Sequence, residues 1–130
     1  FRSEVGTRKV AAHRTYLAVD GGMSDNPRPV LYGSGYEAVA LRAPQAERTT
    51  AYRIVGKHCE TGDFLIDEAW LPGDVQPGDL IATPVTGAYG YSMASNYNRV
   101  PRPAVVFVRD GEARLVLRRE TLDDLSRLEV

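Results

Sequence analysis

Asp63-Phe64-Leu65-Ile66-Asp67-Glu68-Ala69-Trp70-Leu71-Pro72-Gly73-Asp74-Val75-Gln76-Pro77-Gly78-Asp79-Leu80-Ile81-Ala82-Thr83-Pro84-Val85 decides the fold of this chain. It holds two short apolar runs, each of strand length, divided by the triplet Pro-Gly-Asp at 72–74 and again at 77–79. Proline fixes φ and glycine supplies φ > 0, so a repeated Pro-Gly-Asp is a repeated turn. Asp63–Trp70 and Asp79–Val85 therefore read as strands joined by tight turns. Working outward, Glu4–Val10, Arg14–Asp20, Tyr36–Leu41 and Thr50–Val55 are further strands, the last two alternating as half-buried strands do. Downstream, Val105–Val108 and Ala113–Arg118 flank Asp110-Gly111, a pair suited to a type I′ hairpin. Thr121–Leu128 reads as a helix. Thr121 faces the backbone N–H of 124, Asp124 lies three residues on as in a capping box, and Leu122, Leu125 and Leu128 share one face. Seven or eight short strands, frequent turns and one terminal helix predict a mainly β fold, a Greek-key-like barrel or sandwich with a short C-terminal helix.

Two segments resist the strand reading. Ser24–Gly33 contains Asp25-Asn26-Pro27-Arg28-Pro29 and reads as a loop or short helical turn. Tyr91–Asn98 is polar and aperiodic, a short helix or an ordered loop. Pro44–Arg48 is an exposed connection. Loops set on a rigid scaffold are where sites gather.

The chain of 130 residues fits a single domain, 1–130, with 43% apolar and 25% charged residues. A net charge of −1 gives no reason to invoke nucleic acid or an anionic membrane. No apolar run approaches the ~18 residues of a membrane span. One cysteine makes no internal disulfide, which favours a reducing, cytoplasmic home. His13 and His58 are far apart and no Cys/His spacing suits a metal, so no metal is expected. The chain opens at Phe1 without methionine and closes on a helix. This leads us to expect a piece of something longer with its C-terminus intact.

Cys59 sits in Gly56-Lys57-His58-Cys59-Glu60-Thr61-Gly62-Asp63. It has two readings, a buried apolar residue or a proton donor. Glu60 and Asp63 beside it would disfavour a second anion and keep the thiol protonated, so a general acid suits the motif better than a thiolate nucleophile. Arg28 and Tyr32 stand i, i+4 and share a side if helical. A guanidinium with a phenol matches a carboxylate, and a surface ion pair beside a packed ring is the alternative. Tyr89 follows Gly87-Ala88, small residues that let another molecule approach. Its alternative is a core aromatic with a satisfied hydroxyl.

The runs His58-Cys59-Glu60-Thr61-Gly62-Asp63 and Gly87-Ala88-Tyr89-Gly90-Tyr91-Ser92-Met93-Ala94-Ser95-Asn96-Tyr97-Asn98, with Asp20-Gly21-Gly22-Met23, Arg28 and Tyr32, resemble the diaminopimelate decarboxylase family of fold-type III pyridoxal-phosphate decarboxylases. The resemblance covers essentially the whole chain, in order. Thr61 stands where Ser is more usual, and Val100 interrupts the arginine-proline run. The resemblance implies the C-terminal β-domain alone, of the alanine racemase C-terminal-domain kind. The N-terminal (β/α)₈ barrel of the family needs roughly 250 residues, which this chain does not have. It implies that Cys59 gives the proton, offered to the partner subunit's site in a homodimer, and that Glu60 holds the substrate's distal ammonium. Arg28 and Tyr32 would take the distal carboxylate, and Tyr89 would touch both substrate and pyridoxal 5'-phosphate (PLP). The substrate implied is meso-2,6-diaminopimelate, the products L-lysine and CO₂. The lysine that carries the cofactor belongs to the barrel, and Lys9 and Lys57 match neither it nor its surroundings, so the isolated chain is expected to be inactive. The alternatives are an ornithine- or arginine-type decarboxylase of the same fold, and a non-catalytic binding or dimerisation module.

Overall fold

The computed structural model describes every residue, 1–130. Eight strands form two sheets. β1 (Arg2–Val10), β2 (Thr15–Val19), β3 (Val39–Ala40), β4 (Thr50–Val55), β5 (Phe64–Leu71) and β6 (Leu80–Ala82) make a nearly closed, barrel-like sheet in the order β3-β6-β1-β2-β4-β5. β7 (Val105–Arg109) and β8 (Glu112–Leu117) form a separate hairpin. Three short helices, α1 (Arg28–Tyr32), α2 (Gly90–Met93) and α3 (Leu122–Ser126), lie between or after the strands, with a 3₁₀ turn at Tyr97–Arg99. The mainly β, barrel-like fold and the short terminal helix are as expected.

Each departure from a plain ladder has a local cause. β1 has Gly6 as an extra residue between the pairs Val5–Val19 and Thr7–Ala18. A bulge bends its strand, and β1 is shared between β6 at Arg2–Glu4 and β2 from Val5 onward. β5 carries a bulge where Tyr52 faces Ala69 but Ile54 faces Ile66. Asp67 and Glu68 are both exposed there, and Asp67 pairs with Arg14 and Arg53 at 3.0 and 3.1 Å. The core is thirteen buried apolar residues drawn from the six-stranded sheet and its turns, among them Leu17, Tyr52, Ile54, Leu65, Leu71 and Ile81. No residue after Thr83 is fully buried.

β2 and β4 run parallel. Parallel neighbours need a crossover rather than a hairpin, and residues 20–49 supply it. That crossover carries the Asp20-Gly21-Gly22 turn, α1 and β3. The scaffold thus forces a long connection where Arg28 and Tyr32 reside.

The turns repeat the sequence logic with two corrections. Asp110 and Gly111 have φ of 52° and 79°, the double left-handed signature of a type I′ turn. Gly78 has φ of 91°, as its Pro-Gly-Asp predicts. Gly73 does not use positive φ. It is glycine for space, since a Cβ there would lie 3.0 Å from Thr50 Oγ1. The predicted strand Tyr36–Leu41 reduces to Val39–Ala40, because β6 offers it only Ile81 and Ala82 as partners. The terminal helix is also shorter than Thr121–Leu128. Its capping box is present, but Leu122 and Leu128 are 73% and 84% exposed.

Candidate active site

Cys59 is exposed, its backbone left-handed with φ of 52°, and its sulfur makes no hydrogen bond within the chain. A non-glycine residue holds such a conformation only where its surroundings over-determine it. Here they do so from both sides. His58, immediately before, is buried; its N–H donates to Asp63 Oδ2 at 2.7 Å and its carbonyl accepts from Asn98 Nδ2 at 2.8 Å. Asp63 N–H returns to the Glu60 carbonyl at 3.0 Å, closing the turn beyond.

Asp63 is the anchor of this loop. Its Oδ1 accepts from Met23 N–H at 2.7 Å, so one carboxylate binds the 20–24 turn to the 57–63 loop. The glycines make room for it: a Cβ on Gly56 would come within 2.3 Å of that carboxylate, and one on Gly22 within 2.5 Å of the His58 ring. His58 shares a hydrogen bond with Ser24 Oγ through Nε2 at 2.8 Å. One sequence expectation changes here. Asp63, read as a neighbour of the thiol, is buried with its carboxylate tied to the backbone N–H groups of Met23 and His58, and the buried His58 is tied to Ser24 and Tyr97. Glu60 alone stands beside Cys59 on the exposed side.

Glu60 is held on both oxygens, by Thr61 N–H at 2.9 Å and by the Tyr97 hydroxyl at 3.2 Å. The hydrogen bond to Glu60 and its negative charge push the Tyr97 phenol up from its ordinary value. α1 lies against the same loop, since a Cβ on Gly62 would be 3.8 Å from Val30 Cγ1. Arg28–Tyr32 is helical as required for the i, i+4 pair, ended by Gly33 in a left-handed C-cap with φ of 66°. The Arg28 guanidinium carbon lies over the Tyr32 ring, 5.4 Å from its centroid, within cation–π range. Arg28 makes no ion pair in the chain, and the polar ends of both residues are free to meet a ligand.

Tyr89 is 71% exposed, with φ of 63° and its hydroxyl unbonded within the chain, so it is not a core aromatic. It starts α2, where Ser92 Oγ donates to its carbonyl at 2.9 Å. The run it belongs to is stitched to the other two motifs: Ser95 N–H donates to the Ser24 carbonyl at 2.9 Å, and Asn98 reaches His58. Hydrogen bonds thus join the 20–24 turn, the 57–63 loop and the 95–98 segment, and α1, which bears Arg28 and Tyr32, lies against the 57–63 loop. Sequence reading named the run 87–98 but not Tyr97, Asn98 or Ser24 individually. Their partners lie 34 to 40 residues away, beyond any periodicity. No group of three or more His, Cys, Asp and Glu side chains is arranged to hold a metal.

The chain is 54% identical over 132 aligned residues to diaminopimelate decarboxylase of Mycobacterium tuberculosis, covering 98% of this chain and 30% of that protein. The same enzyme of Bacillus subtilis is 54% identical over 127 residues, covering 97% of this chain and 29% of the relative. The crystal structure of diaminopimelate decarboxylase from Helicobacter pylori complexed with L-lysine superposes with a TM-score of 0.86 at 35% identity, over 98% of this chain and 31% of that one. The chain therefore spans about a third of the length of the relatives it matches. The family described as pyridoxal-dependent decarboxylase, C-terminal sheet domain, matches residues 1–87, the portion that contains the whole buried core. With two thirds of its length inside that match, the chain belongs to the C-terminal sheet domain family of the pyridoxal-dependent decarboxylases.

Proposed function

We propose that residues 1–130 are the C-terminal sheet domain of a diaminopimelate decarboxylase, a PLP-dependent carboxy-lyase that converts meso-2,6-diaminopimelate to L-lysine and CO₂ in the cytoplasm. The relatives at 54% identity over nearly the whole chain carry that name, which favours this reading over an ornithine- or arginine-type enzyme. We assign the barrel that the resemblance implies to the portion of the relatives that this chain does not cover. By itself the chain supplies half a site and turns nothing over.

The single observation that carries the chemistry is the exposed Cys59-Glu60 pair on a left-handed turn braced by buried His58 and Asp63. Cys59 gives its thiol proton to the α-carbon after the bond to CO₂ has broken. Glu60 binds the distal ammonium, and Arg28 with Tyr32 the distal carboxylate. A site built to pair such groups rejects substrates without them, because unmatched buried polar groups are costly. Tyr89, exposed, unbonded and flanked by Gly87 and Gly90 that face open space, fits one edge of the PLP site. When bound, PLP supplies the electron sink for the pair left by CO₂. Because the pair points outward from its own domain, we place it in the partner subunit's site of a homodimer.

The test is Cys59→Ala in the complete PLP-loaded enzyme. General acid catalysis is worth ~10²–10⁴-fold, and a group acting in the transition state should lower kcat with KM little changed. A variant with near-normal kcat would return Cys59 to a structural role.

A further inference from the structure

Two consecutive residues, Tyr97 and Asn98, grip the residues on either side of Cys59. Asn98 Nδ2 donates to the His58 carbonyl at 2.8 Å, the carbonyl of the peptide that leads into Cys59. The Tyr97 hydroxyl donates to Glu60 Oε2 at 3.2 Å, while Thr61 N–H holds the other oxygen at 2.9 Å. The Tyr97 ring also meets the buried His58 ring edge-on, with centroids 5.6 Å apart and planes at 81°. Asn98 has φ of 55°, and asparagine is among the side chains that enter the left-handed region most readily. Its type therefore suits both the turn and the contact. The anchor of the segment is independent of the site, since Asn96 Nδ2 donates to the Val100 carbonyl and to Glu120.

We infer that Tyr97 and Asn98 are positioning residues for the Cys59-Glu60 pair: Asn98 fixes the peptide that aims the thiol, and Tyr97 fixes the carboxylate that meets the substrate's distal ammonium. This rests on the roles proposed above for Cys59 and Glu60. The two contacts separate by function. Loss of the phenol frees a binding group. Loss of the amide loosens the backbone that presents the proton donor.

The experiment uses the complete PLP-loaded enzyme with diaminopimelate. Tyr97→Phe should raise KM on the order of 10-fold, the size expected when a hydrogen bond to a charged group is lost, with kcat little changed. In a Glu60→Ala background it should add nothing further, because the phenol then has no carboxylate to hold. Asn98→Gly keeps the left-handed backbone accessible and deletes only the amide. It should lower kcat without raising KM, and speed alkylation of Cys59 by iodoacetamide, read by peptide mass spectrometry without turnover. Asn98→Asp, equally tolerant of the backbone but lacking the donor, should change both in the same direction. If Glu60→Ala leaves KM unchanged, the role of Glu60 itself falls. If Glu60→Ala raises KM while Tyr97→Phe is silent or fully additive with it, only the positioning by Tyr97 is overturned. Wild-type kcat and alkylation rate in both Asn98 variants would overturn the role of Asn98.

Discussion

Cys59 holds a left-handed φ of 52°, although a Cβ in that region crowds the following carbonyl and costs roughly 1–2 kcal/mol. A side chain presented this way is exposed, and the hydrogen bonds of His58 and Asp63 keep the turn in place. This gives a prediction that separates conformation from chemistry. Cys59→Gly and Cys59→Ala both lack the thiol and should share the same loss of kcat. Glycine pays no steric penalty in the left-handed region, so Cys59→Gly should be the more stable of the two by about 1 kcal/mol, measured by denaturant unfolding. Equal stability, or a more stable alanine variant, would mean that the turn is unstrained. At this scale the sequence singled out candidate residues and not which way they face. His58 and Asp63 flank the thiol in the chain, yet they point inward because a glycine at 56 and another at 22 open space for them. The contacts of Tyr97 and Asn98 close separations of 37 and 40 residues, which no local pattern reports.

At the scale of elements, legibility followed the range of the determining interaction. The Asp110-Gly111 hairpin and the Thr121–Asp124 capping box are set within four residues and read directly. β3 depends on a partner 41 to 43 residues away and shrank to two residues. The C-terminal tail hangs on one carboxylate whose partners lie 18 and 24 residues away: Glu120 accepts from Arg102 Nε at 2.8 Å, Arg102 N–H at 2.8 Å and Asn96 Nδ2 at 2.6 Å. The hydrogen bonds from Arg102, side chain first and backbone second, hold its pKa down from the usual 4.5 to about 2. A carboxylate depressed in the folded state stabilises above its unfolded pKa, and that contribution is lost as pH falls through the folded value. Between pH 4.5 and 2 the junction of β8 with Asn96 and Arg102 should therefore loosen. Glu120→Gln should weaken this junction at neutral pH and make the acid limb shallower, read from amide exchange in β8 across a pH series. An acid limb as steep as wild type in Glu120→Gln would show that other carboxylates govern the tail.

At the scale of the whole molecule, the last buried residue is Thr83, and hydrogen bonds tie the 57–63 loop to the segment beyond that limit. An exposed Cys59, proposed above as the proton donor, on a chain that spans about a third of its relatives calls for a second body to complete the site. The arrangement proposed above puts that body in the neighbouring subunit, which makes a mixing experiment decisive. In the complete enzyme, a Cys59→Ala protein and a protein lacking the cofactor-bearing lysine of the barrel are each inactive. Statistical exchange makes half of the dimers mixed, and each mixed dimer then has one site with both defects and one with neither. Up to about a quarter of wild-type activity should return, as follows for two equivalent sites across a two-fold interface. Exchange is checked separately by differently tagged subunits. If exchange is complete and no activity returns, Cys59 serves the barrel of its own chain, and the outward turn at φ of 52° aims the thiol within one subunit rather than across to the next.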